Sequence, residues 1–289
     1  MARILKFTLS ADLSEAVYDG IIFTDPTGDF WNLECSDTFC LNRHCYLTYS
    51  GQDDTLWYAV SDERYGPYSE PMRIDGKLFY AAKHVENDGK VYMVGWARRS
   101  ESMLSAGPVT GWGGNLLVQQ VGQKEDGSLW LEAPKTVADS FSAKRPLLTK
   151  NESCAVDAKG SRAYTEAFTA YERFLISGQF TFTGDGSFGV AFDFGKGEED
   201  YKLISLDPAS DKIKLYFGNG ATLITETAAV LEPGQTYSFT YLQEGSVGVF
   251  YLDGEASLTV RLYGVSGKPI RLFAENNNVN FSAQSERTN

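Results

Sequence analysis

The chain has 289 residues, of which 43% are hydrophobic and 13% aromatic, and its 26 basic and 38 acidic side chains give a formal net charge of −12. That is enough apolar material for two domains of ordinary size. The acidic surplus repels polyanions over most of the surface, which argues against a nucleic-acid partner and leaves a neutral one, such as a sugar, open. No run of about 18 apolar residues occurs, so no helical membrane span is expected.

In chain order, the first 13 residues are too polar for a secretory signal. This implies a cytoplasmic protein if Met1 is the natural start, and a secreted or periplasmic one if an N-terminal part precedes it. Helical periodicity is nearly missing; the one short stretch with a trace of it, 162–175, reads equally as a strand edge. Short apolar runs at 21–23, 45–49, 56–60, 78–83, 91–97 and 115–121 are each bounded by Gly, Asp, Asn, Ser or Pro. Runs of this kind indicate antiparallel strands stacked in blades or sheets. Residues 135–152 are polar and weakly patterned, as a connection between domains would be. Beyond them, strands are expected at 174–183, 187–194, 201–206, 212–217, 236–243, 247–253, 257–263, 270–275 and 279–282. Gly184-Asp185-Gly186, Gly218-Asn219-Gly220 and Asp253-Gly254 read as hairpin turns among these strands. Strands this closely spaced are the pattern of a β-sandwich. No period of 20–50 residues is visible.

Few residues suggest metal or nucleophile chemistry. Cys35, Cys40, Cys45 and Cys154 lack the paired spacing of a zinc site and are expected as buried free thiols rather than a disulfide framework. His44 and His84 form no readable triad, although His44 stands beside Cys45. Asp53-Asp54 and Glu198-Glu199-Asp200 read as solvated surface. The glycine-rich turns open no helix and so are not phosphate loops. No cofactor and no metal are expected.

Trp31-Asn32-Leu33-Glu34-Cys35-Ser36-Asp37 is similar to the Trp-Glu-Cys-Pro-Asp segment of glycoside hydrolase family 32. In order after it, Phe79-Tyr80-Ala81-Ala82 resembles that family's Asp-Phe-Tyr-Ala motif. Val91 to Trp96 resembles its strand ending in Gly-Trp. Gly111-Trp112-Gly113-Gly114, with Gly127-Ser128-Leu129 and Pro134, resembles its exit from the last blade. Late in the chain, the segment Gly267-Lys268-Pro269 to Phe273 and then Val279-Asn280-Phe281 resembles the closing strands of the family's sandwich. The resemblance implies an all-β chain: a partial β-propeller of two to three blades at 1–136, a linker at 137–152 and a C-terminal β-sandwich at 153–289. It also implies retaining hydrolysis of fructosyl bonds in sucrose, levan or inulin, with two carboxyl groups about 5 Å apart. Glu34 matches the acid/base. Asp37, Tyr80 and Trp96 match positions around the sugar, where a ring can stack on a furanose and its polar atom can bond a hydroxyl.

The sequence also departs from the family. Neither the Asn-Asp-Pro-Asn-Gly segment that carries the nucleophile nor the Arg-Asp-Pro segment is found in the 33 residues before Glu34. Asp25-Pro26-Thr27-Gly28 lies too close to Glu34 to be either, and Asp25 is read as a turn residue. Leu78 replaces the aspartate before Phe-Tyr-Ala, which would remove a sugar-binding carboxylate. Two to three blades do not close a ring, and their open faces would be apolar patches. A homo-oligomer, or a chain supplying the missing blades, is therefore expected. The alternative to a glycosidase is a non-catalytic carbohydrate-binding or propeller-completing subunit.

Overall fold

The computed structural model describes residues 1–99, 113–146, 154–195 and 197–287. The strands are β1 (Arg3–Leu9), β2 (Ala16–Thr24), β3 (Glu34–Leu41), β4 (His44–Ser50), β5 (Leu56–Ser61), β6 (Met72–Arg73), β7 (Phe79–Asn87), β8 (Lys90–Arg98), β9 (Gly114–Gln123) and β10 (Leu129–Glu132). A single helical turn, α1 (Lys135–Ala138), leads to β11 (Ala143–Pro146), β12 (Cys154–Tyr164), β13 (Phe168–Thr169), β14 (Arg173–Phe182), β15 (Phe188–Phe192) and β16 (Lys202–Asp207). The chain continues through β17 (Lys212–Phe217), β18 (Thr222–Ala228), β19 (Tyr237–Glu244), β20 (Val247–Leu252), β21 (Ala256–Arg261) and β22 (Pro269–Arg287).

The first ten strands form three antiparallel sheets in sequence order. They are the two-stranded β1-β2 and the four-stranded meanders β3-β4-β5-β6 and β7-β8-β9-β10. Each sheet buries one face on the next, as blades do. Ile4, Phe23, Phe30, Leu33, Leu47 and Tyr49 fill the space between the first and second. Phe39, Tyr46, Tyr58, Phe79, Met93 and Leu131 fill the space between the second and third. The result is two full blades and part of a third. The outer face of β1-β2 is uncovered, with Leu5, Phe7, Leu9, Tyr18 and Ile21 each 45–54% exposed.

The rest is a sandwich. One layer runs β18-β17-β16-β15 and ends on residues 270–274 of β22; the other runs β21-β20-β19-β14 and ends on residues 279–286 of the same strand. β12 follows β22 across both layers. Phe180, Phe182, Phe188 and Phe192 pack between the layers with Tyr241 and Phe250. At the crossing, the Asn277 amide donates to the carbonyls of Gly184 and Gly186 and accepts from the Gly184 N–H. Gly184-Asp185-Gly186 therefore carries the chain from one layer to the other and is not a hairpin turn. A Cβ on Gly186 would stand 1.9 Å from the Glu275 carbonyl, so only glycine fits.

Blades and sandwich meet through buried polar groups. Asp75, between β6 and β7, is fully buried and accepts from Gly76 N–H, Gln119, Ser257 Oγ, and both the N–H and Oγ1 of Thr259. Burial pushes its carboxyl above the usual range against the pull of those donors, Thr259 N–H first. From β21, Arg261 donates to the carbonyls of Ala97 and Arg98 and to Asn115 Oδ1.

Several expectations need correction. No helix forms at 162–175; the segment holds the end of β12, β13 and the start of β14. Strands β1, β3, β12 and β18 lack the dense apolar run of a central strand. β18 (TLITETA) pairs on one side only, with its Leu223 46% exposed. Cys40 and Cys45 are not free thiols. They face each other across the β3–β4 hairpin and form a disulfide, while Cys35 is exposed. His44 accordingly has no thiol partner in Cys45; its Nδ1 lies 3.3 Å from the Asp62 carboxylate. Asp53 and Asp54 are not solvated surface. Asp53 binds Arg73 at 2.7 Å and the Trp57 indole at 3.1 Å, and Asp54 pairs with Arg98 at 3.0 Å. Asp25 is a turn residue as read, and a buried one, accepting from Thr27 and Phe30. Leu78 packs into the sandwich core, so a carboxylate at this position would point into apolar side chains.

Candidate functional site

Glu34 opens β3 and Tyr80 lies near the start of β7, so the first strands of two adjacent blades bring them together. Both strands are bulged at this point. The β3–β4 register shifts between Glu34 and Asp37, where Cys35 has φ 52°; the β7–β8 register shifts between Tyr80 and Lys83, where Ala81 has φ 54°. A bulge re-aims the side chains beside it, and non-glycine residues held at positive φ mark backbone whose position is enforced by its surroundings.

The Tyr80 hydroxyl donates to Glu34 Oε2 at 3.0 Å and approaches the Gly51 carbonyl at 3.4 Å. Asn32 Nδ2 reaches Glu34 Oε1 at 3.4 Å. The loop before Glu34 is fixed by Gln52, which accepts from the Trp31 and Asn32 N–H groups and donates to the Asn32 carbonyl. Ser50, opposite Glu34 in the ladder, accepts from the Ala81 N–H at 3.0 Å and ties the two blades together. Burial, and then the adjacent Glu34 carboxylate, push the Tyr80 phenol well above its usual range, so it remains a hydrogen-bond donor.

Trp96 is the cross-strand neighbour of Tyr80, with ring centroids 5.9 Å apart, and Leu116 follows it across the sheet. Trp96, Ala81, Gly95, Gly114 and Leu116 line a shallow hollow of about 350 Å3. Among the described residues the buried Trp96 indole N–H has no acceptor, and Leu116 and Trp31 are 75% and 79% exposed. The Glu34 carboxylate and the Tyr80 phenol bonded to it thus lie beside a shallow hollow with bare apolar surface at Leu116.

Of the residues singled out from sequence, Glu34, Tyr80 and Trp96 cluster here. Asp37 is directed elsewhere, with its carboxylate accepting from the His84 N–H and lying 2.7 Å from His84 Nδ1. Trp112, within the matched Gly-Trp-Gly-Gly, lies outside the described residues. Arg98 was not anticipated. It is 1% exposed, pairs with Asp54 and lies 5.4 Å from the Tyr80 ring. The two-residue alternation of β8 from Trp96 was the available signal, because it places position 98 on the same face. Opposite it, Gly114 leaves room: a Cβ there would meet the Ala97 carbonyl at 1.9 Å. Among the described residues, no group of three His, Cys, Asp or Glu side chains is placed to hold a metal.

No protein-family model and no curated protein matches the sequence. Solved structures do match. An Aspergillus kawachii β-fructofuranosidase complexed with glycerol superposes with a TM-score of 0.72 at 14% identity, over 99% of this chain and 65% of that one. An Aspergillus awamori exo-inulinase gives 0.72 at 14% identity, over 98% and 62%. A Bombyx mori glycoside hydrolase family 32 β-fructofuranosidase gives 0.69 at 17% identity, over 99% and 60%, and a mutant of it is known in complex with sucrose. The chain therefore has a glycoside hydrolase family 32-like fold over nearly its whole length, and spans about 60% of the first of these enzymes to match.

Proposed function

We propose that the hollow at Trp96, beside Glu34, binds a fructoside, and that Glu34 is the acid/base of a retaining glycosidase site whose nucleophile is supplied from outside the blades described above. The carrying observation is the Tyr80–Glu34 hydrogen bond of 3.0 Å at the junction of two blades, beside Trp96 with its unpaired indole N–H. In the proposed reaction Glu34 protonates the leaving oxygen of the glycosidic bond and then takes a proton from the attacking water. Tyr80 holds the carboxylate in place, and Trp96 packs on the sugar.

The exposed apolar face of β1-β2 supports a further part of the proposal, a second copy or another chain covering the open end of the blades. The second reading, a carbohydrate-binding module without catalysis, is favoured by the same aromatic hollow should no nucleophile be provided. The two are separated by measuring binding of sucrose, levan and inulin calorimetrically alongside fructose release. Release that disappears in Glu34→Gln while binding persists supports the glycosidase. Binding without release supports the module. No binding of any of the three overturns both.

A further inference from the structure

Cys40 and Cys45 are cross-strand neighbours in the β3–β4 hairpin, and their disulfide joins residues five apart. A disulfide stabilises the whole fold more as the loop it closes lengthens, so a bond this short contributes least in that way. Its effect is local, on β3. That strand is the edge of its sheet and pairs with β4 alone. Its ladder is also interrupted: Glu34 stands opposite Ser50, and pairing resumes at Asp37 and runs to Leu41. At the interruption β7 holds the strand, Lys83 donating to the Ser36 carbonyl at 2.6 Å and the His84 N–H donating to Asp37 at 2.7 Å.

The hairpin closed by the bond also spans two blades. Its Asn42 amide donates to Gln123 at 2.6 Å, and Arg43 donates to the Glu125 carbonyl at 3.1 Å. In return Gln123 donates to the Leu41 carbonyl at 3.0 Å. One covalent bond therefore secures both an edge strand that begins at Glu34 and a turn that grips the next blade. The two sulfurs are unequally placed, with Cys40 exposed and Cys45 8% exposed. Thiol–disulfide exchange starts by attack of a thiolate on an accessible sulfur, so Cys40 is the point of entry and Cys45 the leaving group.

We propose that Cys40–Cys45 is a redox switch of the Glu34 site, opened by a small dithiol. One thiolate of the dithiol bonds to Cys40 Sγ, the protein S–S bond breaks, and its electron pair leaves on Cys45 Sγ, which takes up a proton. The second thiolate then attacks the dithiol's own sulfur in the mixed disulfide and expels Cys40, which is protonated in turn. Two electrons and two protons pass to the protein, and the dithiol becomes a cyclic disulfide. With the tie cut, the outer end of β3 frays and the backbone that sets Glu34 against Tyr80 loosens. The consequence for sugar binding rests on the function proposed above; the loosening of β3 does not.

The test compares the intact chain oxidised and reduced with dithiothreitol. Alkylation with peptide mass spectrometry reads the thiols, and hydrogen–deuterium exchange reads the backbone. Exchange at 36–41 and 123–128 is expected to rise about ten-fold on reduction, with β20 unchanged. Cys40→Ser with Cys45→Ser should exchange like the reduced chain and no longer respond to reductant. A bond that dithiothreitol cannot reduce in the folded chain overturns the switch. So does exchange that stays the same once both thiols are free. Sucrose affinity, measured calorimetrically, should fall several-fold on reduction; an unchanged affinity overturns the coupling to Glu34. Absence of sucrose binding in both states counts against the fructoside reading, and the exchange result still decides the switch.

Discussion

The sandwich and the blades bury their apolar residues by different rules. The sandwich has two layers that cover each other, and its inward aromatics Phe180, Phe182, Phe188 and Phe192 are all 2% exposed or less. The blades are packed in series, so each sheet needs a neighbour on both faces. The β3–β6 sheet has two such neighbours, whereas β1-β2 has one and leaves Leu5, Phe7 and Leu9 about half exposed. The difference predicts that the sandwich unfolds after the blades, which rely on what adjoins them: the sandwich on one side, through Asp75 and Arg261, and solvent or a partner on the other.

The largest test removes the contact with the sandwich. Asp75→Ala would strand five buried donor groups and is expected to cost about 3–4 kcal/mol, with the blades unfolding before the sandwich in urea. A single unchanged transition would break the comparison. Arg261→Met comes next. It leaves the Ala97 and Arg98 carbonyls without their guanidinium, at an expected cost of about 2–3 kcal/mol, and tryptophan fluorescence should report a change around Trp96.

Acid sharpens the contrast within the blades. Burial raises the Asp25 carboxyl, but hydrogen bonds from the Phe30 N–H and from Thr27 outweigh it, and the net shift is downward. A carboxyl lowered in the folded state adds stability above its unfolded value near 3.9, and loses it as pH falls through the folded value. Asp25→Asn should therefore cost about 1–2 kcal/mol at pH 7, and the cost should shrink as pH falls through the folded value, measured by urea titration at each pH. The smallest effect on stability is expected at the open face. Phe7→Ser with Leu9→Ser should change the stability of the monomer by less than about 0.5 kcal/mol, because both side chains already meet water. The same pair should abolish self-association seen by light scattering, and association that survives it would place the interface elsewhere.

The β class, most strands of the sandwich and the grouping of Glu34, Tyr80 and Trp96 were all legible in the sequence. Alternating apolar runs and ordered motifs are local patterns, and strand periodicity is a local property of the chain. What the sequence left open depends on which strands become neighbours. The Cys40–Cys45 bridge needed the hairpin register, and the turn of Asp37 toward His84 and away from Glu34 needed the bulge at Cys35. The layer crossing at Gly184–Gly186 needed β22 to belong to both sheets, the Asp53–Arg73 pair needed β6 to join its sheet, and the Asp54–Arg98 pair needed the end of one blade to meet the next. A charged residue reads as surface in one dimension, because its counter-ion lies tens of residues away and only packing brings the two together.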